Sequence, residues 1–241
     1  MRIKQLLLPA AALSLMTFAA CDGNYFDCIY GNGEYDEIEK SLPEFYEIEL
    51  NASFDIEIYH DDDHSVEISG DENIVDLITA KVLGDKLILD YNVDCVDPRK
   101  DIKVKIYVNE LNEIELNGSG NASTRDAINT PKLTVSINGS GNANLEVFTN
   151  DLRVDIDGSG DVDIEGKGSK ARYYIDGSGD IDAFDFESDT CVVTIDGSGD
   201  VGAWVNDTLT VSVLGSGDLE YIGNPALNIL DDSGSGIIRR R

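Results

Sequence analysis

From Leu111 onward the chain repeats one unit: alternating apolar residues, an Asn or Asp, Gly-Ser-Gly, a second Asn or Asp, and alternation again. The first glycines are Gly118, Gly139, Gly158, Gly177, Gly197 and Gly215, at spacings of 21, 19, 19, 20 and 18, and a degenerate copy follows at Gly234. Their partners are Gly120, Gly141, Gly160, Gly179, Gly199 and Gly217. A unit this short cannot bury its own apolar face, so near-identical units at a fixed period have to stack on one another.

The alternation gives the form of the stack. Leu133, Val135 and Ile137 precede Gly139 by six, four and two residues. The same positions hold Leu152, Val154, Ile156, then Ala171, Tyr173, Ile175, then Cys191, Val193, Ile195, and then Leu209, Val211, Val213. Period two means strands with one buried face. After each turn the pattern resumes, as in Val162 and Ile164 or Val201 and Ala203. Each coil thus supplies two short strands, which stack on the next coil at ~4.8 Å as parallel sheets. The expected class is all-β, a parallel β-helix or solenoid. Glycine at the corners answers a need for positive φ or for close backbone approach. The last copy is atypical, with Asp232 where other copies are apolar and Ile237 after Gly236, as expected of a coil that ends exposed sheets.

Residues 45–108 alternate less regularly, as in Phe54, Ile56, Ile58 and Ile102, Val104, Ile106, Val108, with a short helix expected within Asp71–Ala80. No Pro/Gly-rich linker separates them from the repeats. We expect one domain over 41–241, irregular over 41–110 and regular over 111–236. The irregular half, with Val66-Glu67-Ile68-Ser69-Gly70-Asp71-Glu72-Asn73, together with the Gly-Ser-Gly-Asx repeats, resembles the putative autotransporter adhesin, head GIN domain family of bacterial surface proteins over about residues 45–236. The resemblance implies a right-handed, single-stranded β-helix of pectin-lyase-like architecture, an adhesive role and no catalytic residues to carry over.

The amino-terminal segment reads as an address. Arg2 and Lys4 precede an apolar run, Leu6–Ala20, that ends Ala19-Ala20-Cys21. A charged start, apolar middle and small-residue exit make a secretory signal over residues 1–20, too short to span a membrane. Cys21 resembles the acylated cysteine of bacterial lipoproteins, which implies an anchor in the outer membrane, facing the periplasm or the exterior. Residues 21–40, glycine-bearing and acidic, read as a flexible tether. The formal charge is −29, and loss of the leader makes it more negative still. Nucleic acid is excluded as a partner, because its binding rests on Lys and Arg. Cys28, Cys95 and Cys191 allow one intramolecular disulfide, with the partner of Cys28 open between the other two.

Asp161, Asp180, Asp200 and Asp218 recur at one position of successive coils, with Asp157, Asp176 and Asp196 as a second row. Stacked carboxylates are candidate cation or ligand rows, with calcium the cation they suit. In the simpler account each Asx caps its own turn and water screens the charge. His60-Asp61-Asp62-Asp63-His64 holds metal-ligand residue types, though as a solvated hairpin tip it needs no metal. Arg153 and Arg172 occupy equivalent outward positions, as surface ion pairs or contacts to an acidic sugar. Tyr174 breaks the alternation and points outward, and with Trp204 it is a candidate glycan contact; Phe148 and Phe184 lie near the same corner. No Ser-His-Asp set, phosphate loop or dinucleotide fingerprint appears. The sequence therefore points to a non-catalytic surface protein with no cofactor other than calcium, whose partner is a glycan or a surface protein of host or bacterium, and it is compatible with an oligomer. A polysaccharide lyase or hydrolase on the same scaffold and a structural spacer are the alternatives.

Overall fold

Alternate burial of every second side chain forces the chain into extended segments, and in the computed structural model, which describes residues 28–241, these become nineteen strands. The first half contains β1 (Ile29–Tyr30), β2 (Tyr35–Ser41), β3 (Glu47–Leu50), β4 (Asp55–His60), β5 (Ser65–Asp71), the single turn α1 (Glu72–Val75), β6 (Ile78–Leu83), β7 (Lys86–Tyr91), β8 (Val96–Asp97) and β9 (Lys103–Val108). The repeats supply β10 (Glu113–Leu116), β11 (Ala122–Thr124), β12 (Ile128–Ile137), β13 (Ala143–Ile156), β14 (Val162–Ile175), β15 (Ile181–Ile195), β16 (Val201–Val213), β17 (Leu219–Gly223), β18 (Ala226–Asp232) and β19 (Ile238–Arg240).

The expected β-solenoid forms, with about seven turns. Strands β12 to β16 pair in parallel, each on its successor in sequence. Leu133, Leu152, Ala171, Cys191 and Leu209 fall in one register column, and Val135, Val154, Tyr173, Val193 and Val211 in the next. All of these are buried, at roughly 1.5–3 kcal/mol for each large aliphatic side chain. Cys191 sits in this column as a small apolar residue, and burial pushes its thiol pKa up, away from reactivity.

Of the two reasons for corner glycine, the structure selects close approach. A Cβ on Gly139 would collide with the carbonyl oxygen of Gly118, and Gly158, Gly177, Gly197 and Gly215 each meet the preceding corner in the same way. None of these glycines has positive φ. The backbone N–H of the corner serine donates to the first glycine of the coil below, as from Ser159 to Gly139 and Ser178 to Gly158, both at 3.0 Å.

The first half is laid down out of order. Strand β3 lies between β7 and β10, and β4 between β9 and β11, all in parallel. Between β3 and β4, Asn51-Ala52-Ser53-Phe54-Asp55 forms one more corner, whose carbonyls at Ala52 and Phe54 block a Cβ on Gly118 and Gly120. Antiparallel strands cover this end: β5 pairs with β9 and β2, and β6 with β7.

Two expectations change here. The helix contracts to Glu72–Val75, and Ile78 onward becomes β6, whose Ile78 is buried. The flexible tether expected over 21–40 does not extend through its second half. Cys28 is disulfide-bonded to Cys95, and β2 pairs with β5 over seven residues. The acidic composition hid this strand because Tyr35, Glu37 and Glu39 occupy its exposed face, while Ile38 packs against the core. A body begun at residue 41 would lose β2. The signal segment, Cys21 and residues 22–27 of the tether lie outside the described residues.

Asp71 ties the same region together. Its side chain is buried and accepts backbone N–H bonds from Gly33 (2.7 Å), Arg99 (2.7 Å) and Lys100 (2.8 Å). Burial works to raise its pKa, but these three donors outweigh burial and hold the carboxyl below its ordinary value.

Candidate functional site

The Asx residue after each corner faces outward, and its Oδ1 accepts the backbone N–H of the equivalent residue one coil further on. The ladder runs from Asp55 to Asn121 (2.9 Å), Asn142 (2.9 Å), Asp161 (2.8 Å), Asp180 (2.9 Å), Asp200 (2.7 Å), Asp218 (2.6 Å) and Ile237 (2.8 Å). The capping is thus between coils rather than within one turn. The row before the glycines behaves differently. The Asn117 amide donates to Asn51 and the Asn138 amide to Asn117, at 2.9 and 2.8 Å. At Asp157, Asp176 and Asp196 the side chain has no N–H to pass on, and these carboxylates stand exposed.

Tyr174 stands half-buried beside this row. Burial raises its phenol pKa, and Asp176, Asp196 and Asp157 raise it further. Arg153 and Arg172 form surface ion pairs, but with Asp155 (2.6 Å) and Asp151 (2.7 Å) rather than with the Asp rows. His60 is exposed, whereas His64 is buried with its ring 5.1 Å from that of Phe45, edge to face. Among the described residues no group of three or more His, Cys, Asp or Glu side chains is placed to hold a metal ion.

A shallow groove of about 510 Å³ follows the ladder, lined by Asn121, Asn142, Asp161 and Asp180 and by the adjacent outward column Ser123, Asn144, Asp163 and Asp182. Burial raises the Asp163 pKa, and Asp182, Glu165 and Asp185 add to the effect. The column continues in register through Gly202, Glu220 and Arg239. There a second recess of about 210 Å³ has Phe184 in its wall. Of the aromatics near the corners, Trp204 is half-buried and Phe148 is exposed. The sequence alone marks Arg239–Arg241 only as a concentration of basic residues at the exposed end, and it does not pick out Gly202. The available signal was the pair of irregular spacings, 20 and then 18, on either side of Gly197.

Residues 44–225 match the family described as Putative auto-transporter adhesin, head GIN domain. The chain belongs to this family. Its fold is that of solved relatives: a putative adhesin from Bacteroides fragilis is 25% identical with a TM-score of 0.83, over 88% of this chain and 100% of the other. A putative lipid binding protein from Parabacteroides distasonis is 24% identical with a TM-score of 0.75, over 88% and 99%. A putative adhesin from the same organism is 24% identical with a TM-score of 0.71, over 89% and 100%. No curated protein matches the chain. Membership in the head GIN family fits a cell-surface or envelope protein, and among the described residues no helix is long and apolar enough to cross a membrane.

Proposed function

We propose that this head GIN protein is a lipid-anchored envelope protein, held in the outer membrane through Cys21, that acts without catalysis in adhesion and recognises glycans on a host or bacterial surface. The observation carrying this reading is repetition. Along the groove one outward position presents Asn142, Asp161, Asp180, Asp200 and Asp218 in successive coils, each fixed by the ladder. A catalytic centre needs one position unlike the rest, whereas a regular rigid face suits contact with an extended, repeating partner. The names of the two putative adhesins among the relatives support adhesion. Calcium, in this proposal, bridges carboxylates to the glycan through the outer oxygens that the ladder leaves free.

The test incubates the detergent-solubilised full chain with host and bacterial polysaccharides, with and without calcium, scoring retention and released oligosaccharide together. Retention of intact glycan is expected. Release of products would replace adhesion with cleavage, and absence of both across the panel would remove the glycan. For the anchor, Cys21→Ser is expected to move the protein from the membrane fraction to the soluble fraction; unchanged partitioning would refute it.

A further inference from the structure

The coil from Gly177 to Gly197 is one residue longer than the common spacing of 19, and the next is one shorter. The mismatch surfaces in the pairing of β15 with β16, where the register jumps from Ala183↔Ala203 to Glu187↔Trp204 and leaves Phe184 to Phe186 unmatched. Bulges of this kind re-aim side chains. Phe186 stays in the core, while Phe184 is only half-buried. Its ring lies against Gly202, where a Cβ would come within 2.5–2.8 Å of ring atoms. The residues before and after Gly202 in that outward column are Asp182 and Glu220. Glycine here makes room for an aromatic surface in the middle of an acidic column.

Asp180, Asp182, Asp200, Asp218 and Glu220 line the same recess. An aromatic face ringed by carboxylates suits a planar, delocalised cation, which stacks on the ring while its N–H groups reach the oxygens. The recess already holds such groups. The guanidinium carbon of Arg241 lies 4.9 Å from the Phe184 ring centroid, and Arg239, in the wall of the recess, is ion-paired with Glu220. In a chain of formal charge −29 with 18 Lys and Arg in all, two of three consecutive arginines reach this recess, while Arg240 donates to Asn224 Oδ1 (3.0 Å) beside it.

We infer that the Phe184–Gly202 recess is a binding site for guanidinium groups, that it takes an arginine-bearing segment of a partner protein, and that Arg239–Arg241 is an intramolecular stand-in which the partner displaces. The inference rests on the reading of the protein as a non-catalytic surface binder and names one partner class for it. A tethered occupant competes at high effective concentration. If it fills the site nine-tenths of the time, the apparent affinity for an external peptide falls about tenfold.

The test titrates a fluorescent tri-arginine peptide into the full chain at ~0.15 M salt, where long-range attraction is screened, and reads anisotropy. The R239A/R240A/R241A variant is expected to bind about tenfold more tightly than the unmodified chain. In that background Phe184→Leu, which keeps apolar bulk without the π face, is expected to lose at least that gain, and D182N/E220Q likewise. D157N/D176N, with the same charge change on the other row, is expected to leave the gain intact. Thermal melts confirm that each variant is folded. Two results would overturn the site: no gain on removing the arginines, or equal losses from D157N/D176N and D182N/E220Q, which would mean diffuse attraction to an acidic body. A chain that retains glycan but ignores tri-arginine loses the recess and keeps its adhesive role.

Discussion

From β12 to β16 every coil rests on the coil that precedes it in sequence, whereas the layer of β3 and β4 is inserted between β7–β9 and β10–β11. Both regions use the same parallel pairing and the same buried alternation. They differ in what each position must satisfy. In the ordered region every corner has an identical corner beneath it, so every copy faces the same steric demand and the sequence becomes periodic. In the other region the corner at 51–55 has no Gly-Ser-Gly corner below. Ala52 and Phe54 keep their side chains there, and the Phe54 ring packs edge to face on Tyr91 at 5.2 Å. Glycine is therefore demanded by the neighbouring coil and not by the turn itself.

The irregular region replaces periodic stacking with long-range clamps, and the largest expected effect comes from removing one of them. The Cys28–Cys95 bond closes 67 residues of chain, so Cys28→Ser with Cys95→Ser is expected to cost about 4 kcal/mol by loop-closure entropy. Hydrogen exchange should localise the loss to β1, β2, β5 and β8 and leave β13–β16 protected. Uniform loss across both regions would show that they unfold as one unit and would erase the distinction.

Next in size is a direct test of the glycine argument. Gly158→Ala places a methyl group on the Gly139 carbonyl and is expected to cost about 3 kcal/mol or more by overpacking between backbones. Ala52→Gly, at the equivalent first position of the 51–55 corner, should cost under about 1 kcal/mol, mostly through the freedom glycine gains in the unfolded chain. Denaturant midpoints of the two variants decide it. Equal costs would mean that the turn, not the coil beneath, selects glycine.

A smaller effect belongs to Asp71 and depends on pH. Its folded pKa is lowered, so its contribution is complete above the ordinary Asp value of about 3.9 and drains away as pH falls through the lower folded value. Limited proteolysis should therefore open the segment near Gly33 and Arg99 in acid before the repeats respond. Asp71→Asn is expected to weaken this segment at neutral pH and to flatten its acid limb. An unchanged acid profile in that variant would assign the sensitivity to other carboxylates.

These contrasts explain what the sequence made legible. The repeat length, the two alternating columns and the burial of Cys191 could be read because each follows from one demand applied many times. The corner at 51–55 escaped notice because, with no glycine corner beneath it, it carries Ala52 and Phe54 in place of the glycines. Strand β2 was hidden by Glu37 and Glu39 on its exposed face. Its partner β5 lies about thirty residues away, and no local pattern encodes a pairing at that distance. At the candidate site the Asx rows were legible as rows, but their direction of hydrogen bonding was not. That direction depends on how far the next coil advances, a property of the stack and not of the unit.

The smallest effect separates the rows as structure from the rows as ligands. If Oδ1 of each Asx serves mainly to hold the next coil, Asp180→Asn keeps the acceptor for the Asp200 N–H, now at 2.7 Å, and removes one charge from a repelling column. Its stability should lie within about 0.5 kcal/mol of the unmodified chain, while Asp180→Ala, which deletes the acceptor, should cost about 1 kcal/mol. The corresponding pair at Asp176, where no ladder bond exists, should show no such difference between Asn and Ala. Melting temperatures of the four variants, each with and without millimolar calcium, read both roles together. A calcium-dependent rise that Asp180→Asn abolishes would make the ladder carboxylates cation ligands as well as caps. Equal responses in all four variants would confine the ladder to holding coils together, whereas a response lowered by both Asp176 variants and by neither Asp180 variant would move the cation to the Asp157, Asp176 and Asp196 row.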